Sequence, residues 1–269
     1  MFVLGMAWRP FGYATDPVAL REWVQLRGQI LRSERKSWAL GAKCRGCQGM
    51  VAGPRRRAVS RACWERSGTK CRIRVSFPDD EAPVLLKIRN LLTAAEVARL
   101  VTLSRELRFV EGRVSNPANL TKANLQADHT DPKYAESVQI VNAALARSRE
   151  FMDFAFPRQV APPLLCRYEP GMKYGGHADA ALIQVGNARI RSDLSCTVFI
   201  NDPSTYEGGE LSIELGNLAI PIKGAAGEAI VYPSTTLHEV VPVRSGQRLV
   251  SITFIESYIA DEHQRTQVY

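Results

Sequence analysis

Between Pro163 and Ser257 the chain carries short apolar runs broken by turn signals, and no helical period connects them. The runs are 164–168, 194–200, 210–215, 218–222, 228–232, 237–243 and 248–257, with Glu169-Pro170-Gly171, Glu207-Gly208-Gly209 and Ser245-Gly246 among the turns. Parallel strands need crossovers of about a dozen residues, usually helical. Strands this close together pair antiparallel, which leaves a sandwich or a jelly roll, a mainly β fold of the α+β class.

Upstream the texture is helical. Thr93-Ala94-Ala95-Glu96 is a capping box, in which the threonine hydroxyl accepts from a first-turn amide and Glu96 reaches back. Val97, Leu100, Leu103 and Leu107, widened by Val101, form one apolar stripe, an amphipathic helix of about four turns. A second helix is expected to open at Asp131-Pro132, with proline at its first position, and to run through Val138, Val141 and Leu145 toward Met152. Between the two, Lys122, Asn124 and Gln126 share a face if their segment is extended. That face either lines a cleft, which makes Asn124 and Gln126 candidate substrate-binding residues, or is a solvated edge strand. Residues 83–269 thus read as one domain, with helical support at 84–160 and a jelly-roll core at 161–258.

Residues 1–82 differ in kind. They hold sixteen Lys/Arg against seven Asp/Glu, all four Trp and four of the six Cys, so the formal net charge of +8 belongs to this segment. The stretch 78–83, Pro-Asp-Asp-Glu-Ala-Pro, closes it as a linker would. Cys44, Cys47, Cys63 and Cys71 offer four thiolates for zinc, but the second pair is separated by seven residues where two are usual. Arg55-Arg56-Arg57 suits a flexible arm touching nucleic-acid phosphates. The favoured reading is an extension that is disordered or no part of the native fold, with ordered structure starting near Val84.

No apolar run approaches the roughly 18 residues that span a bilayer. Residues 1–8 are apolar but lack the basic flank and cleavage site of a secretory leader. Cys166 and Cys196 sit in apolar, strand-like contexts and read as buried thiols of a reducing compartment. A cytoplasmic protein without membrane contact is expected.

The histidines carry the chemistry. There are four, His129, His177, His238 and His263, of which the first and last read as surface residues. In His177-Ala178-Asp179 an extended backbone puts imidazole and carboxylate on one face, able to share a metal. Alone, such a pair is equally well a hydrogen-bonded surface pair. What adds weight is His238-Glu239-Val240-Val241-Pro242-Val243, followed by Arg248. A three-residue loop at Arg244-Ser245-Gly246, glycine left-handed, would pair Pro242 with Arg248 and His238 with Ile252. Histidine and arginine would then share a face, on the order of 13 Å apart. A two-residue turn would set them on opposite faces. Two His and one Asp form a facial triad that leaves three positions of an Fe(II) ion open, two for a 2-oxoacid and one for O2. Arg248 offers a fork of donors to the far carboxylate of a five-carbon diacid, with Val250 and Ile252 beside it to keep the cavity dry. A zinc hydrolase built on the same ligands would leave that arginine without a purpose.

Four ordered stretches carry a family resemblance: Arg167-Tyr168-Glu169-Pro170-Gly171-Met172-Lys173-Tyr174-Gly175-Gly176-His177-Ala178-Asp179, Asp193-Leu194-Ser195-Cys196-Thr197-Val198-Phe199-Ile200, Tyr206-Glu207-Gly208-Gly209-Glu210-Leu211, and Val231-Tyr232-Pro233 onward to His238 and Gly246-Gln247-Arg248. Over residues 84–258 the chain resembles the PKHD-type hydroxylases, Fe(II)/2-oxoglutarate dioxygenases related to prolyl 4-hydroxylases. The resemblance implies a double-stranded β-helix, His177, Asp179 and His238 on iron, Arg248 on 2-oxoglutarate and Tyr168 beside that co-substrate. It also implies O2 as oxidant, L-ascorbate as reductant, and hydroxylation of a peptidyl or small-molecule substrate with release of succinate and CO2. Phe199 stands where animal prolyl hydroxylases carry a co-substrate-binding tyrosine, so Arg248 needs another partner, Tyr168 or Thr197. Bacterial members continue in a helical tail after the last strand, which a chain ending at Tyr269 is not expected to keep. The alternatives to an enzyme are a jelly roll that binds without chemistry, and a nucleic-acid contact through residues 1–82.

Overall fold

The computed structural model describes residues 84–116 and 119–269; the zinc, basic-arm and disorder expectations for residues 1–82 lie outside the described residues. Strand β1 (Leu86–Ile88) precedes helix α1 (Ala94–Glu106), whose capping box forms. The Thr93 hydroxyl accepts from Glu96 N at 3.3 Å, and Glu96 Oε2 accepts from Thr93 N at 2.8 Å. Short strands β2 (Phe109–Glu111), β3 (Lys122–Ala123) and β4 (Leu125–Ala127) lead to helices α2 (Tyr134–Arg147) and α3 (Arg149–Ala155). The single helix expected from Asp131 to Met152 is therefore two. Its start is delayed because Asp131 Oδ1 accepts from Lys133 N at 3.0 Å, holding Asp131-Pro132 in a turn. It breaks at Ser148, whose backbone is extended (ψ 110°) and whose hydroxyl caps α3 through Phe151 N.

Strands β5 (Pro157–Val160), β6 (Leu164–Tyr168), β7 (Lys173–His177), β8 (Leu182–Val185), β9 (Ala188–Arg191) and β10 (Leu194–Phe199) follow. Then come β11 (Tyr206–Gly208), β12 (Leu211–Leu215), β13 (Leu218–Ile222), β14 (Ala229–Pro233), β15 (His238–Val240), β16 (Val243–Gly246), β17 (Arg248–Ser257) and helix α4 (Glu262–Val268). A large antiparallel sheet runs in the order β1-β14-β10-β17-β6-β4-β2, with β5 also on β17; a smaller one runs β13-β12-β15-β7-β3. The two form the expected jelly roll.

Strand alternation decides which layer each side chain meets. Leu165, Cys196, Val198, Val231, Leu249 and Ile255 leave one face of the large sheet and pack with Leu100, Leu103, Val141 and Phe151 of the helices. Cys166, Tyr168, Phe199, Ile230, Tyr232 and Val250 leave the other face and meet Leu211, Ile213 and Val240 of the small sheet. Each buried Leu, Ile, Val or Phe contributes about 1.5–3 kcal/mol through its removal from water. Coverage on both faces is why these strands read as unbroken apolar runs.

The hairpin expected between His238 and Arg248 does not form. The run 237–243 divides at Pro242, which has no N–H to give a ladder and whose carbonyl accepts from Gly209 N at 3.3 Å. Strand β15 stays in the small sheet, β16 pairs with β11, and β17 joins the large sheet. His238 lies opposite Ile213 and His177, not Ile252; Arg248 lies opposite Tyr168, not Pro242. Histidine and arginine thus stand on different sheets instead of sharing a face. Gly246 does adopt the left-handed backbone expected of it (φ 72°). After the last strand a short helix is present after all: α4 packs on α3, with Tyr269 edge-on to Phe154 at 5.2 Å. Among the described residues no helix is long and apolar enough to cross a membrane.

Candidate metal centre

Strand β7 ends at His177 and β15 begins at His238, and the two residues are direct cross-strand partners. Their rings lie 4.3 Å apart, tilted by 51°. Lysine and two glycines make β7 a weak strand former, and no apolar run marks it. Gly175 has a tertiary purpose: a Cβ there would lie 2.8 Å from Thr121 Cβ, so its absence lets the chain at Thr121 close against β7. Beyond His177, Asp179 N donates to Ser234 O at 3.1 Å, which keeps the carboxylate beside the two rings. Asp179 Oδ1 is 3.8 Å from His177 Nε2, and Oδ2 is 3.7 Å from His238 Nε2. One ligand atom from each residue lies within 4.8 Å of the others. The three side chains are only 9%, 12% and 6% exposed.

Both imidazoles are set in the same tautomer. His177 Nδ1 is 2.8 Å from Gly175 O, and His238 Nδ1 is 2.9 Å from Thr236 O. A carbonyl can only accept, so each Nδ1 carries the proton and each Nε2 turns a lone pair to the centre. Burial, and then the neighbouring His238, hold His177 below the usual imidazole pKa, which keeps it neutral. Asp179 Oδ2 accepts from Ser195 Oγ at 2.5 Å. Two imidazole nitrogens and one carboxylate are the donor set of a non-haem Fe(II) site.

Arg248 stands at the start of β17 and is 1% exposed. Its guanidinium carbon lies 4.9 Å from the centre of the Tyr168 ring, and Tyr206 is its second aromatic neighbour. The arginine's aromatic support is therefore Tyr168, while Thr197 lies at the Tyr232 phenol instead. Nε of Arg248 has no hydrogen-bond partner, and no carboxylate among the described residues pairs with the guanidinium. Gly209, in the left-handed region (φ 66°), leaves it room, since a Cβ there would stand 2.9 Å from Arg248 Cδ. Burial pushes the Tyr168 and Tyr232 phenols far above their ordinary range, so both remain neutral hydroxyls. Cys166 and Cys196 are buried free thiols as expected, pushed by burial up to about 11 and about 12.

The face shared by Lys122, Asn124 and Gln126 is not a solvated edge: the three are 5%, 3% and 2% exposed. Asn124 approaches the Tyr168 phenol and the Cys166 thiol without closing a full hydrogen bond. His129 and His263 are exposed and outside the cluster. Sequence reasoning did not single out Tyr174, stacked on His177 at 3.7 Å, nor Tyr206, Tyr232, Ser195 and Ser234. All five lie inside the stretches that carry the family resemblance, which was the available signal.

The 2OG-Fe(II) oxygenase superfamily model matches residues 163–256, the span that holds the His–Asp–His cluster and Arg248. A PKHD-type hydroxylase of Sphingopyxis alaskensis is 46% identical over 185 residues, covering 69% of this chain and 84% of that protein. This chain belongs to the PKHD-type hydroxylases. A further member, from Stutzerimonas stutzeri, is 38% identical over 190 residues with the same shares covered, 69% and 84%. In fold, the chain is similar to a Trichoplax adhaerens prolyl hydroxylase solved in complex with a hypoxia inducible factor peptide fragment. That similarity has a TM-score of 0.51 and 13% identity, over 71% of this chain and 88% of the other. As a member of its family, the protein is an oxygenase that uses Fe(II), 2-oxoglutarate and O2. Its residues fit that equipment, with a three-donor cluster for the metal and a buried guanidinium lacking an anion.

Proposed function

We propose that this chain hydroxylates a C–H bond of a peptidyl or small-molecule substrate, with His177, Asp179 and His238 holding Fe(II) and Arg248 holding the far carboxylate of 2-oxoglutarate. One observation carries the reading: a guanidinium 1% exposed, in the core between the two sheets, with no carboxylate among the described residues paired to it. Burying such a charge uncompensated costs several kcal/mol, and a bound dianion offsets that cost.

When bound, the metal and co-substrate supply the oxidative decarboxylation of 2-oxoglutarate by O2, which yields succinate, CO2 and a hydroxylated product. This chain contributes position and environment. The Gly175 and Thr236 carbonyls fix both imidazoles before a metal arrives, so its binding needs little reorganisation. Ser195 orients Asp179. Tyr168 gives the guanidinium a flat aromatic support. Val250, Phe199 and Cys166 make the surrounding wall apolar and exclude water, which strengthens the charge-assisted bonds from Arg248. Asn124 and Gln126 form a polar wall on the substrate's side. The reading includes ascorbate as the reductant that keeps the metal ferrous, and a cytoplasmic setting consistent with two free thiols.

The test is to load the full chain anaerobically with Fe(II) and 2-oxoglutarate, admit O2, and assay succinate. Succinate formed in step with O2 uptake, and absent when iron is replaced by zinc, is the expected result. Protein that binds both ligands tightly yet forms no succinate above the zinc control would overturn the reading.

A further inference from the structure

The strip Lys122, Asn124 and Gln126 spans the two sheets. Lys122 pairs with Tyr174 on the strand that ends in His177, while Gln126 pairs with Cys166 on the strand that carries Tyr168. It therefore bridges the metal-bearing strand to the strand beneath Arg248. Lys122 is the charged member and is 5% exposed. Its Nζ donates to Ser115 Oγ at 2.7 Å and lies 5.3 Å from the centre of the Tyr174 ring. No carboxylate among the described residues pairs with it; burial pulls its pKa down, and Cys166 and then Asp179, at longer range, act in the opposite direction. An ammonium has three donors, and here the structure gives a partner to one.

Buried lysines are ordinarily paired, because an ammonium out of water with open donors is costly. The charges at the site sharpen the point. With Fe(II), dianionic 2-oxoglutarate, Asp179 and Arg248 in place the formal charges cancel, and Lys122 adds one positive charge that no carboxylate among the described residues pairs with. On the same face of the strip, both amide atoms of Asn124 and Oε1 of Gln126 are buried without hydrogen-bond partners. A buried cation that shares a face with unpartnered amides suits an anion on a polar body.

We propose that Lys122 is a specificity-determining residue, and that the substrate presents to it a carboxylate, with Asn124 and Gln126 binding neutral polar atoms next to that group. The inference rests on the reading of the site given above, and it excludes hydrocarbon-like or cationic groups from this corner of the cavity.

The experiment uses the full chain loaded with Mn(II), which binds the same donor set without turnover, and with 2-oxoglutarate. Acetate is the probe and acetamide its neutral counterpart, both titrated by calorimetry. Acetate is expected to bind saturably and acetamide not to bind. In Lys122→Met acetate binding falls at least tenfold; in Lys122→Arg it stays within about threefold of the parent, because the charge is kept. Equal acetate binding by parent and Lys122→Met, equal binding of acetamide, or no saturable acetate binding by the parent would each overturn the proposal. So would a tenfold loss of 2-oxoglutarate affinity in Lys122→Met, since Lys122 would then belong to the co-substrate's site. Mn(II) and 2-oxoglutarate titrations of each variant report that the site is folded, and Lys122→Gln replaces the methionine variant if that one fails to hold the metal. A parent protein that binds neither Mn(II) nor 2-oxoglutarate would instead sink the underlying reading of the site.

Discussion

Ser195 Oγ donates to Asp179 Oδ2 at 2.5 Å, and that one bond sets the direction of a buried hydroxyl chain. Ser195 has a single proton, given to the carboxylate, so the 2.7 Å contact between Ser195 and Ser234 must be donated by Ser234. By the same logic Ser192 donates to Ser234, again at 2.7 Å. Three serines, 7%, 3% and 2% exposed for Ser192, Ser195 and Ser234, thus align toward the carboxylate of the candidate metal centre.

Ser195→Ala should therefore weaken metal binding without abolishing it. Partners of this kind typically account for about 10–100-fold in metal affinity. Mn(II) titration of parent and variant measures it; an unchanged affinity would show that Asp179 is held by other means.

The two histidines should behave alike despite their separation in sequence, because each presents Nε2 through the same backbone bond from Nδ1. His177→Ala and His238→Ala are both expected to lose Fe(II) binding and succinate formation. Replacing either by asparagine or glutamine keeps the polarity but not the ring position, and should rescue less than a tenth of the activity. A variant with near-parental turnover would remove that residue from the centre.

At the other end, Arg248→Ala should raise the Kd of 2-oxoglutarate, with an expected loss of about 2–5 kcal/mol for truncating one partner of a buried charge pair. Arg248→Lys should recover part of it, since an ammonium lacks the two-pronged fork. Gly209→Ala is predicted to act in the same direction though it touches no ligand: its new methyl would stand 2.9 Å from Arg248 Cδ, on a backbone with φ 66°. Calorimetric titration of 2-oxoglutarate into the Mn(II)-loaded proteins distinguishes these. Unaltered affinity in Arg248→Ala would refute the assignment of that arginine.

Glu96 provides a pH test away from the site. It closes the capping box of α1 and also grips Arg147 of α2 through two bonds of 2.6 and 2.5 Å. Chiefly through Arg147, its pKa is lowered to about 2 from 4.5. A lowered folded-state pKa means that the interaction stabilises the fold above pH 4.5 and is lost as pH falls toward 2. Both side chains are partly exposed, so the contribution is modest, about 1 kcal/mol. Urea denaturation at pH 7 should find Glu96→Gln less stable by that amount, with the difference vanishing near pH 2. A gap that persists in acid would assign the effect to packing.

The sequence by itself determined the local features: the capping box at Thr93, the extents of β6, β13 and β17, and the left-handed Gly246. Each depends on contacts within a few residues or on strict alternation, and both can be read along the chain. It also singled out His177, Asp179, His238 and Arg248, because the ordered stretches around them are those of the family. Which strands pair was decided only by the tertiary structure. Pro242 ends one strand and sends the next segments to other partners, so His238 faces His177 and Arg248 faces Tyr168. The strand that carries His177 depends on a neighbour that needs the space a glycine leaves, and a pattern of residue types does not encode such a neighbour. The same holds for Lys122, whose spacing suits a solvated edge as well as a buried face. Its burial follows from what the two sheets enclose, a property of the whole fold rather than of any segment.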